Sequence, residues 1–307
     1  MHIKQETVDQ MIFAAIDIGS NAVRLLFSNA FENNGKIHVE KATLIRIPIR
    51  LGLDVYNNNK ISKQRADKLI KTLHAFRLLI DVYKPKSYVA CATAAMREAK
   101  NGLALIKKIE KETAIEVRLI DGLEEAAIIR STNDYIFPED KQMNMYVDLG
   151  GGSTEISALA KHKLIEAISF KIGTLRLLSN KVSSSEWEEL KIWLMKFKAH
   201  FGKINLIGSG GNINKIAKIY GNPDIFNLPV ERLEYAAKHL KSYSLKERIE
   251  VLGLRPDRAD VIIPATEVFL FISEILKVEM IHVPKIGLAD GLIYQMFENH
   301  LQQKKKK

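Results

Sequence analysis

Apolar positions along the chain alternate between two spacings, which predicts strands and helices in turn. Three apolar runs near the start predict strands at 12–18, 23–30 and 37–49, with "NNG" at 33–35 as a hairpin turn.

From Ser62 to Tyr83, apolar residues recur at intervals of three and four, which predicts a helix with Ser62 as its N-cap. Further strands are predicted at 87–93 and 115–120, and further helices at 101–112 and 123–136.

The same order of elements restarts after Pro138-Glu139-Asp140, the clearest break in the first half. The second half is predicted to have strands at 143–149, 155–161, 164–171, 204–209 and 279–283, and helices at 184–200, within 230–277 and at 288–300. Strands that alternate with helices indicate an α/β fold with helices on both sheet faces. Two such runs predict two domains, 1–126 and 127–307, with a cleft between them. The last helix could pack back on the first domain.

Composition narrows the class of protein. The chain of 307 residues is 47% hydrophobic and 27% charged, which is typical of a globular protein. Its net charge is +10, of which four charges are the terminal lysines, so a surplus of six still suits an anionic partner. With 7% aromatic residues and no zinc-finger spacing, a specific nucleic-acid module receives little support. A single cysteine, Cys91, excludes a disulfide framework and is expected in the core.

The chain contains no apolar run as long as the roughly 18 residues of a membrane span, and its first ten residues are polar. We therefore expect a cytoplasmic protein without a membrane partner.

One short pattern occurs twice. Residues 15–24 read "AIDIGSNAVR" and residues 146–155 read "YVDLGGGSTE", each an apolar run ending in Asp, followed by a glycine turn that contains a serine. A third glycine turn, "IGSGGN", follows a predicted strand at 207–212. Successive backbone N–H groups in such turns can point at one anion, and glycine lets a phosphate approach the backbone. One such turn alone is usually only a turn, but three in one chain favour a phosphate site.

The two aspartates of this pattern, Asp17 and Asp148, end their strands at the carboxyl edge of a sheet, where open α/β folds bind ligands. A carboxylate does not neutralise phosphate, so each is expected to hold a divalent metal or to orient water. The chain has no GxxxxGK[ST] sequence, which excludes a Walker A loop.

These motifs make the chain resemble the exopolyphosphatase and guanosine pentaphosphate phosphohydrolase family. That family belongs to the superfamily of actin, chaperone ATPases, and acetate and sugar kinases. The resemblance implies two actin-like, ribonuclease H-like α/β domains with an interdomain cleft. It covers about residues 12–298 and rests on "AAIDIGSNAVRL" (14–25), "ATAAMREAKNG" (92–102), "IDGLEEAAIIR" (120–130), "VDLGGGSTEIS" (147–157), "IGTLRL" (172–177), "IGSGGN" (207–212) and "IGLADGLI" (286–293).

The resemblance implies catalytic roles for three residues. Glu125, in "GLEEA", matches the family's catalytic base, and its neighbour Glu124 is then expected to be solvated or to cap the helix. Asp148 matches the family's second essential carboxylate. Arg97 matches the arginine that contacts the reacting phosphate, which a planar guanidinium can hold by two oxygens.

The resemblance also implies ligand sites. The metal, Mg²⁺ or another divalent cation, is expected to be held by Asp17, Asp148 and Glu155. The phosphate-binding residues are expected to be Gly19, Ser20, Asn21, Arg24, Gly150, Gly151, Gly152, Ser153, Gly208, Ser209, Gly210 and Gly211.

The predicted function is that of a hydrolase that cleaves the terminal phosphoanhydride of inorganic polyphosphate and releases orthophosphate. Guanosine pentaphosphate is the close alternative, because its 5′-γ-phosphate presents the same anhydride. An ATP-dependent kinase or ATPase of the superfamily and a non-catalytic sensor of polyphosphate or alarmone are the other open hypotheses. The family also leads us to expect a homodimer.

Overall fold

A five-stranded sheet forms the centre of the first half. The computed structural model describes residues 11–33, 35–133, 143–161, 163–222 and 227–305. The strands of this sheet are β1 (Met11–Ile18), β2 (Val23–Asn33), β3 (Lys36–Ile47), β4 (Ser87–Ala92) and β5 (Val117–Leu119). They lie in the order β3-β2-β1-β4-β5. The first three strands are antiparallel neighbours, whereas β4 runs parallel to β1 and to β5.

Five helices accompany this sheet among the described residues: α1 (Leu51–Asn58), α2 (Lys63–Tyr83), α3 (Ala94–Glu98), α4 (Gly102–Thr113) and α5 (Gly122–Asn133). The predicted N-cap of α2 is confirmed, because the Ser62 side chain accepts a hydrogen bond from the Arg65 amide. The predicted break at Pro138 lies outside the described residues.

The second half contains a sheet of the same order. Its strands are β6 (Met143–Leu149), β7 (Thr154–Ala160), β8 (Lys163–Phe170), β9 (Ile204–Ser209), β10 (Asn227–Pro229) and β11 (Met280–His282). They lie in the order β10-β11-β9-β6-β7-β8. Without the short β10, this arrangement repeats the first sheet, with three antiparallel strands followed by two parallel ones. The predicted α/β fold, with two halves built on similar sheets, is confirmed.

The helices of the second half include several that the sequence pattern did not separate. They are α6 (Thr174–Leu178), α7 (Ser184–Phe201), α8 (Gly211–Tyr220), α9 (Val230–Lys241), α10 (Leu245–Glu250), α11 (Pro256–Ala259), α12 (Ile262–Leu276) and α13 (Leu288–Lys305). Within the described ranges, no helix combines the length and the apolar character that crossing a lipid bilayer requires.

The last helix packs against the first sheet. Leu292 and Phe297 of α13 lie in one apolar cluster with Phe13 of β1 and Leu26 of β2. Each half also has its own larger core, built on the central strand of its sheet. Cys91 is fully buried in β4, as expected for a core residue. The domain boundaries 1–126 and 127–307 stay a prediction.

The sequence pattern missed two short helices, one after the third strand of each sheet. Helix α1 has eight residues and α6 has five, which is too short for a helical period to stand out. Arg50 directly precedes α1 and adopts a left-handed conformation with φ of 60°. Both helices matter for the cleft, because both contact a glycine turn.

Candidate active site in the cleft between the sheets

The two glycine turns have the same internal hydrogen bond. The Gly19 amide donates to the Ala22 carbonyl over 3.1 Å, and the Gly150 amide donates to the Ser153 carbonyl over 3.0 Å. Each turn joins the first and second strands of its sheet, so the repeated sequence pattern corresponds to a repeated structure.

The carbonyl groups of both turns bond to the segment that follows the third strand. In the first half, the Gly52 amide donates to Ser20 O over 2.9 Å. In the second half, the Leu175 amide donates to Gly151 O over 2.8 Å. Among the described residues, the amides of Ser20, Asn21, Gly151 and Gly152 donate no backbone hydrogen bond. Both turns therefore keep donors available for an anion.

Three carboxylates meet between the turns. Asp148 is the last residue but one of β6 and lies opposite Glu155 on β7. Glu125 lies in the first turn of α5, whose start is capped by the Asp121 side chain. One carboxylate oxygen from each of Glu125, Asp148 and Glu155 lies within 4.8 Å of the other two. Oxygen atoms in such a group are the ligands that Mg²⁺ prefers. The residues present therefore fit a divalent cation.

Desolvation and mutual repulsion disfavour the ionised forms of this group. Removal from water raises the pKa of Glu125 well above its ordinary value, and the charges of Glu155, Asp148 and Asp17 raise it further. Burial also raises the pKa of Glu155 to about 7, against the hydrogen bonds from Ser153 and Ser169. The pKa of Asp148 is raised by burial, although Ser209 donates a hydrogen bond to it over 2.6 Å. A bound cation would compensate this charge.

Asp17 is not a member of that group. Its carboxylate pairs with Arg24, the residue opposite it on β2, and Arg24 also lines the cavity. The carboxylates of Asp148 and Glu125 contribute to the electrostatic environment of the Arg24 guanidinium, so this arginine lies between acidic residues of both halves. Such a cation can bind an anion and neutralise a carboxylate at once.

Arg97 lies near the carboxylates but is turned to the backbone. Its Nη1 donates to the Ile120 carbonyl over 2.7 Å, and its charge lowers the pKa of Glu125 and of Glu155. It is not among the residues that line the cavity. Glu124, the first glutamate of "GLEEA", forms an ion pair of 2.7 Å with Arg118 and also lies outside the lining, as expected for a solvated residue.

The third glycine turn contributes only its second half to the cavity. Gly210, with φ of +111°, and Gly211 line it. Gly208 instead packs inside the second half, where an added Cβ would lie 3.0 Å from the Phe269 ring. Ser209 donates to Asp148, so it contacts the carboxylate and does not line the cavity.

The cavity has a volume of about 820 Å³ and a basic wall that the sequence motifs did not indicate. Arg46 of this wall is largely enclosed, with a side chain 9% exposed and no hydrogen-bond partner for Nε or Nη1. Burial, followed by the charge of Arg46, lowers the pKa of Arg258 to about 10. The lining cations besides Arg24 are Lys41, Arg46, Lys215, Lys218, Arg255, Arg258 and Lys285. A polyanion would relieve their repulsion.

The sequence also matches a known protein family, and that family is one of phosphatases. Residues 36–300 match the model of the Ppx/GppA phosphatase family. The chain belongs to this family. Among curated proteins it is 29% identical over 316 residues to the bifunctional 3-dehydroquinate synthase/phosphatase of Fusobacterium nucleatum, a match that covers 93% of the chain and 46% of that protein. The chain thus spans about half the length of this relative.

Other relatives match over nearly their whole length. Exopolyphosphatase 1 of Mycobacterium tuberculosis is 24% identical, with 94% of the chain and 89% of that protein covered. The crystal structure of the Aquifex aeolicus Ppx/GppA family member is 25% identical at a TM-score of 0.72, with coverage of 94% and 99%. An exopolyphosphatase structure from Cytophaga hutchinsonii has a TM-score of 0.81 at 24% identity, with coverage of 94% and 98%, and shows the shared fold. The predicted enzyme class, a hydrolase of phosphoanhydride bonds, is confirmed at the level of the family.

Proposed function

We propose that this protein is an exopolyphosphatase that cleaves the terminal phosphoanhydride of inorganic polyphosphate and releases orthophosphate. The observation that carries the proposal is the pair of glycine turns with available amides, which face three clustered carboxylates across one cavity. The basic wall of that cavity supports a substrate with several negative charges.

In the proposed reaction, a water oxygen attacks the terminal phosphorus while the bond from that phosphorus to the bridging oxygen breaks. Glu125 accepts the proton of the water, and its raised pKa brings it closer to the range in which a general base is effective. The amides of Ser20, Asn21, Gly151 and Gly152 and the Arg24 guanidinium stabilise the charge on the terminal phosphoryl oxygens. The products are orthophosphate and a chain shorter by one phosphate.

Asp148 and Glu155 would hold a divalent cation, for which we propose Mg²⁺, while Glu125 beside them stays free to act as the base. The ion supplies Lewis-acid neutralisation of the phosphate oxygens when it is bound. Asp148 also accepts the Ser209 hydrogen bond, which fixes the orientation of its carboxylate. We propose that Arg97 acts indirectly, because its positive charge stabilises the negative charges of Glu125 and Glu155.

Guanosine pentaphosphate is the second candidate substrate. The residues that line the cavity also include the apolar side chains of Leu26, Leu44, Ile45, Ile286 and Leu288. Inorganic polyphosphate has no apolar surface to place there, whereas a nucleoside has one.

The test is an assay of orthophosphate release from tripolyphosphate, long-chain polyphosphate, guanosine pentaphosphate and ATP, each with Mg²⁺ and with a chelator. Release from both polyphosphates without any nucleotide supports the exopolyphosphatase. Turnover of guanosine pentaphosphate alone supports the second candidate, and turnover of ATP alone would identify an ATPase. Tight binding without turnover would identify a sensor.

Glu125→Gln tests the assigned base, and Glu124→Gln is the matched control from the adjacent position. Removing a general base should lower kcat by about 100-fold or more, because the glutamine amide cannot accept the water proton. Tripolyphosphate binding should persist, since amides and arginines bind the phosphate. Glu124→Gln should retain wild-type turnover. Equal losses in both variants, or an active Glu125→Gln, would contradict the assignment.

We also propose a cytoplasmic location and a homodimer. Light scattering of the purified protein tests the second point.

A further inference from the structure

The two glycine turns are joined on the side of helices α1 and α6. Tyr56 of α1 shares a hydrogen bond of 2.9 Å with the Ser20 hydroxyl of the first turn. Arg176 of α6 donates from Nε to the Gly152 carbonyl of the second turn over 2.8 Å. The Arg176 guanidinium carbon also lies 4.2 Å from the centre of the Tyr56 ring. Ser20, Tyr56, Arg176 and Gly152 thus form one continuous connection between the halves.

This connection leaves no free space. A Cβ added to Gly152 would lie 1.9 Å from the Tyr56 hydroxyl, and one added to Gly151 would lie 3.0 Å from the Ser20 Cβ. Tyr56 is 6% exposed and Arg176 is 7% exposed. The tyrosine hydroxyl therefore sets how closely the second turn approaches the first.

Arg176 is itself held in position by an acidic residue. Its Nη2 lies 2.6 Å from Glu98 of α3, the residue next to Arg97. Burial raises the pKa of Tyr56 to about 12, so its hydroxyl stays neutral at neutral pH. The pair is thus fixed by one ion pair, two hydrogen bonds and a cation–π contact.

We infer that Tyr56 and Arg176 are positioning residues that set the spacing of the two phosphate-binding turns, and that this spacing fits the transition state of phosphoryl transfer. The inference rests on the proposed function. A terminal phosphoryl group held from two sides requires donors on both sides at defined positions. Displacements of roughly 0.5–1 Å are enough to weaken such a site.

A purely structural role would have a different signature. Loss of packing alone reduces the stability of the fold or the fraction of active molecules, but leaves the relative affinities of the folded site unchanged. Altered spacing should weaken binding of a five-coordinate ligand more than binding of a tetrahedral one. Orthovanadate is tetrahedral in solution but takes up a fifth oxygen ligand in a phosphoryl-transfer site, whereas orthophosphate stays tetrahedral.

Tyr56→Phe is the main variant, because it keeps the ring on Arg176 and removes only the hydroxyl. Arg176→Lys keeps the positive charge but loses the planar donor group. The chain offers a matched control pair in the first half, where Arg77 Nη1 donates to the Tyr88 hydroxyl over 3.1 Å. Tyr88→Phe and Arg77→Lys remove equivalent groups, and neither residue lines the cavity.

The measurements are calorimetric affinities for orthovanadate and orthophosphate with Mg²⁺, and kcat/KM for tripolyphosphate. Tyr56→Phe should weaken orthovanadate binding and lower kcat/KM by about five-fold each, the equivalent of one neutral hydrogen bond. Arg176→Lys should lower both by about ten-fold or more. Orthophosphate affinity should stay within about two-fold of wild type. The double variant should lose less than the product of the single losses, because the two residues act as a unit.

Wild-type behaviour of Tyr56→Phe would overturn the inference. Equal weakening of both ligands, or the same losses in the Tyr88 and Arg77 controls, would do so as well. A wild-type protein that releases no orthophosphate from polyphosphate would contradict the proposed function alone, since the two affinities still test the spacing.

Discussion

At the scale of single residues, Glu155 shows that the candidate site lowers the stability of the folded protein. It lies directly opposite Asp148 in the β6–β7 ladder, and like charges in that position destabilise a sheet. Glu155 is only 2% exposed, so water does little to screen this repulsion. Because the Asp148–Glu155 pair does not stabilise the fold, we interpret it as part of a binding site in which a cationic ligand compensates the negative charge.

The raised pKa of Glu155 predicts how stability depends on pH in the metal-free protein. An unfolded glutamate loses its proton near pH 4.5, whereas Glu155 in the folded protein keeps it to about pH 7. Between these values the folded state binds more protons, so the free energy of unfolding should fall as pH rises, by on the order of 1–3 kcal/mol. Thermal denaturation in a chelator should therefore show the melting temperature decreasing through this window.

Glu155→Gln should flatten that pH dependence, and Glu124→Gln should not, because Glu124 lies near the surface with Arg118. A wild-type melting temperature that rises from pH 4.5 to pH 7 in the chelator, or a Glu155→Gln variant as pH-sensitive as wild type, would contradict this explanation.

The candidate site could be predicted from sequence in part, and the reason is local. Asp17 and Asp148 end apolar strands next to glycine turns, and Glu125 opens a helix, so each has a signal in its own neighbours. The basic wall has no such signal. Arg46 comes from β3, Lys215 from α8, and each alone is an ordinary surface charge in the sequence. Only the tertiary structure brings them together.

At the scale of elements, the short helices α1 and α6 have equivalent positions in the two halves. Each follows the third strand of its sheet and donates backbone hydrogen bonds to the carbonyls of the adjacent glycine turn. The strands and long helices were predictable from apolar spacing, but these two helices were not. They are too short to show a period, and tertiary contacts rather than helix propensity stabilise them.

Gly173, directly before α6, allows this close approach. A Cβ at Gly173 would lie 2.3 Å from the carbonyl carbon of Gly152 and 2.5 Å from its Cα and N. Gly173→Ala should therefore push α6 away from the second turn, and we expect a loss of about 1–3 kcal/mol in the free energy of unfolding, as for overpacking. Orthophosphate affinity should stay within about two-fold of wild type, as in the Tyr56 and Arg176 variants, because the turn amides that bind phosphate remain.

Urea denaturation and orthophosphate calorimetry provide the measurements for this substitution. Gly287→Ala is the control for stability, since a Cβ there meets no atom within 4 Å. If Gly173→Ala matches Gly287→Ala in stability, the contact of α6 with the turn is not the constraint that we infer.

At the scale of the whole molecule, ion pairs connect the two halves beside the cleft. Arg50 pairs with Asp260 over 2.7 Å, and Arg46 pairs with Asp257 over 2.5 Å. Asn21 of the first turn also donates to the Asp257 carbonyl over 3.1 Å. These contacts join the segment around α11, which contributes Arg255 and Arg258 to the basic wall, to the first half. They therefore determine where that part of the wall lies.

Asp260→Asn should consequently loosen both halves at once. It leaves Arg50 without its charged partner, and we expect the free energy of unfolding to fall by about 1–3 kcal/mol. Hydrogen exchange measured by mass spectrometry should accelerate in two segments distant in sequence, 46–53 and 255–262, because each restrains the other.

Asp81→Asn is the matched control: it breaks an Arg–Asp pair of the same 2.7 Å length that lies within helix α2. That exposed pair should contribute less than about 1 kcal/mol and change exchange only locally. Faster exchange on one side of the cleft alone would mean that the Arg50–Asp260 pair stabilises its own half and does not hold the two together.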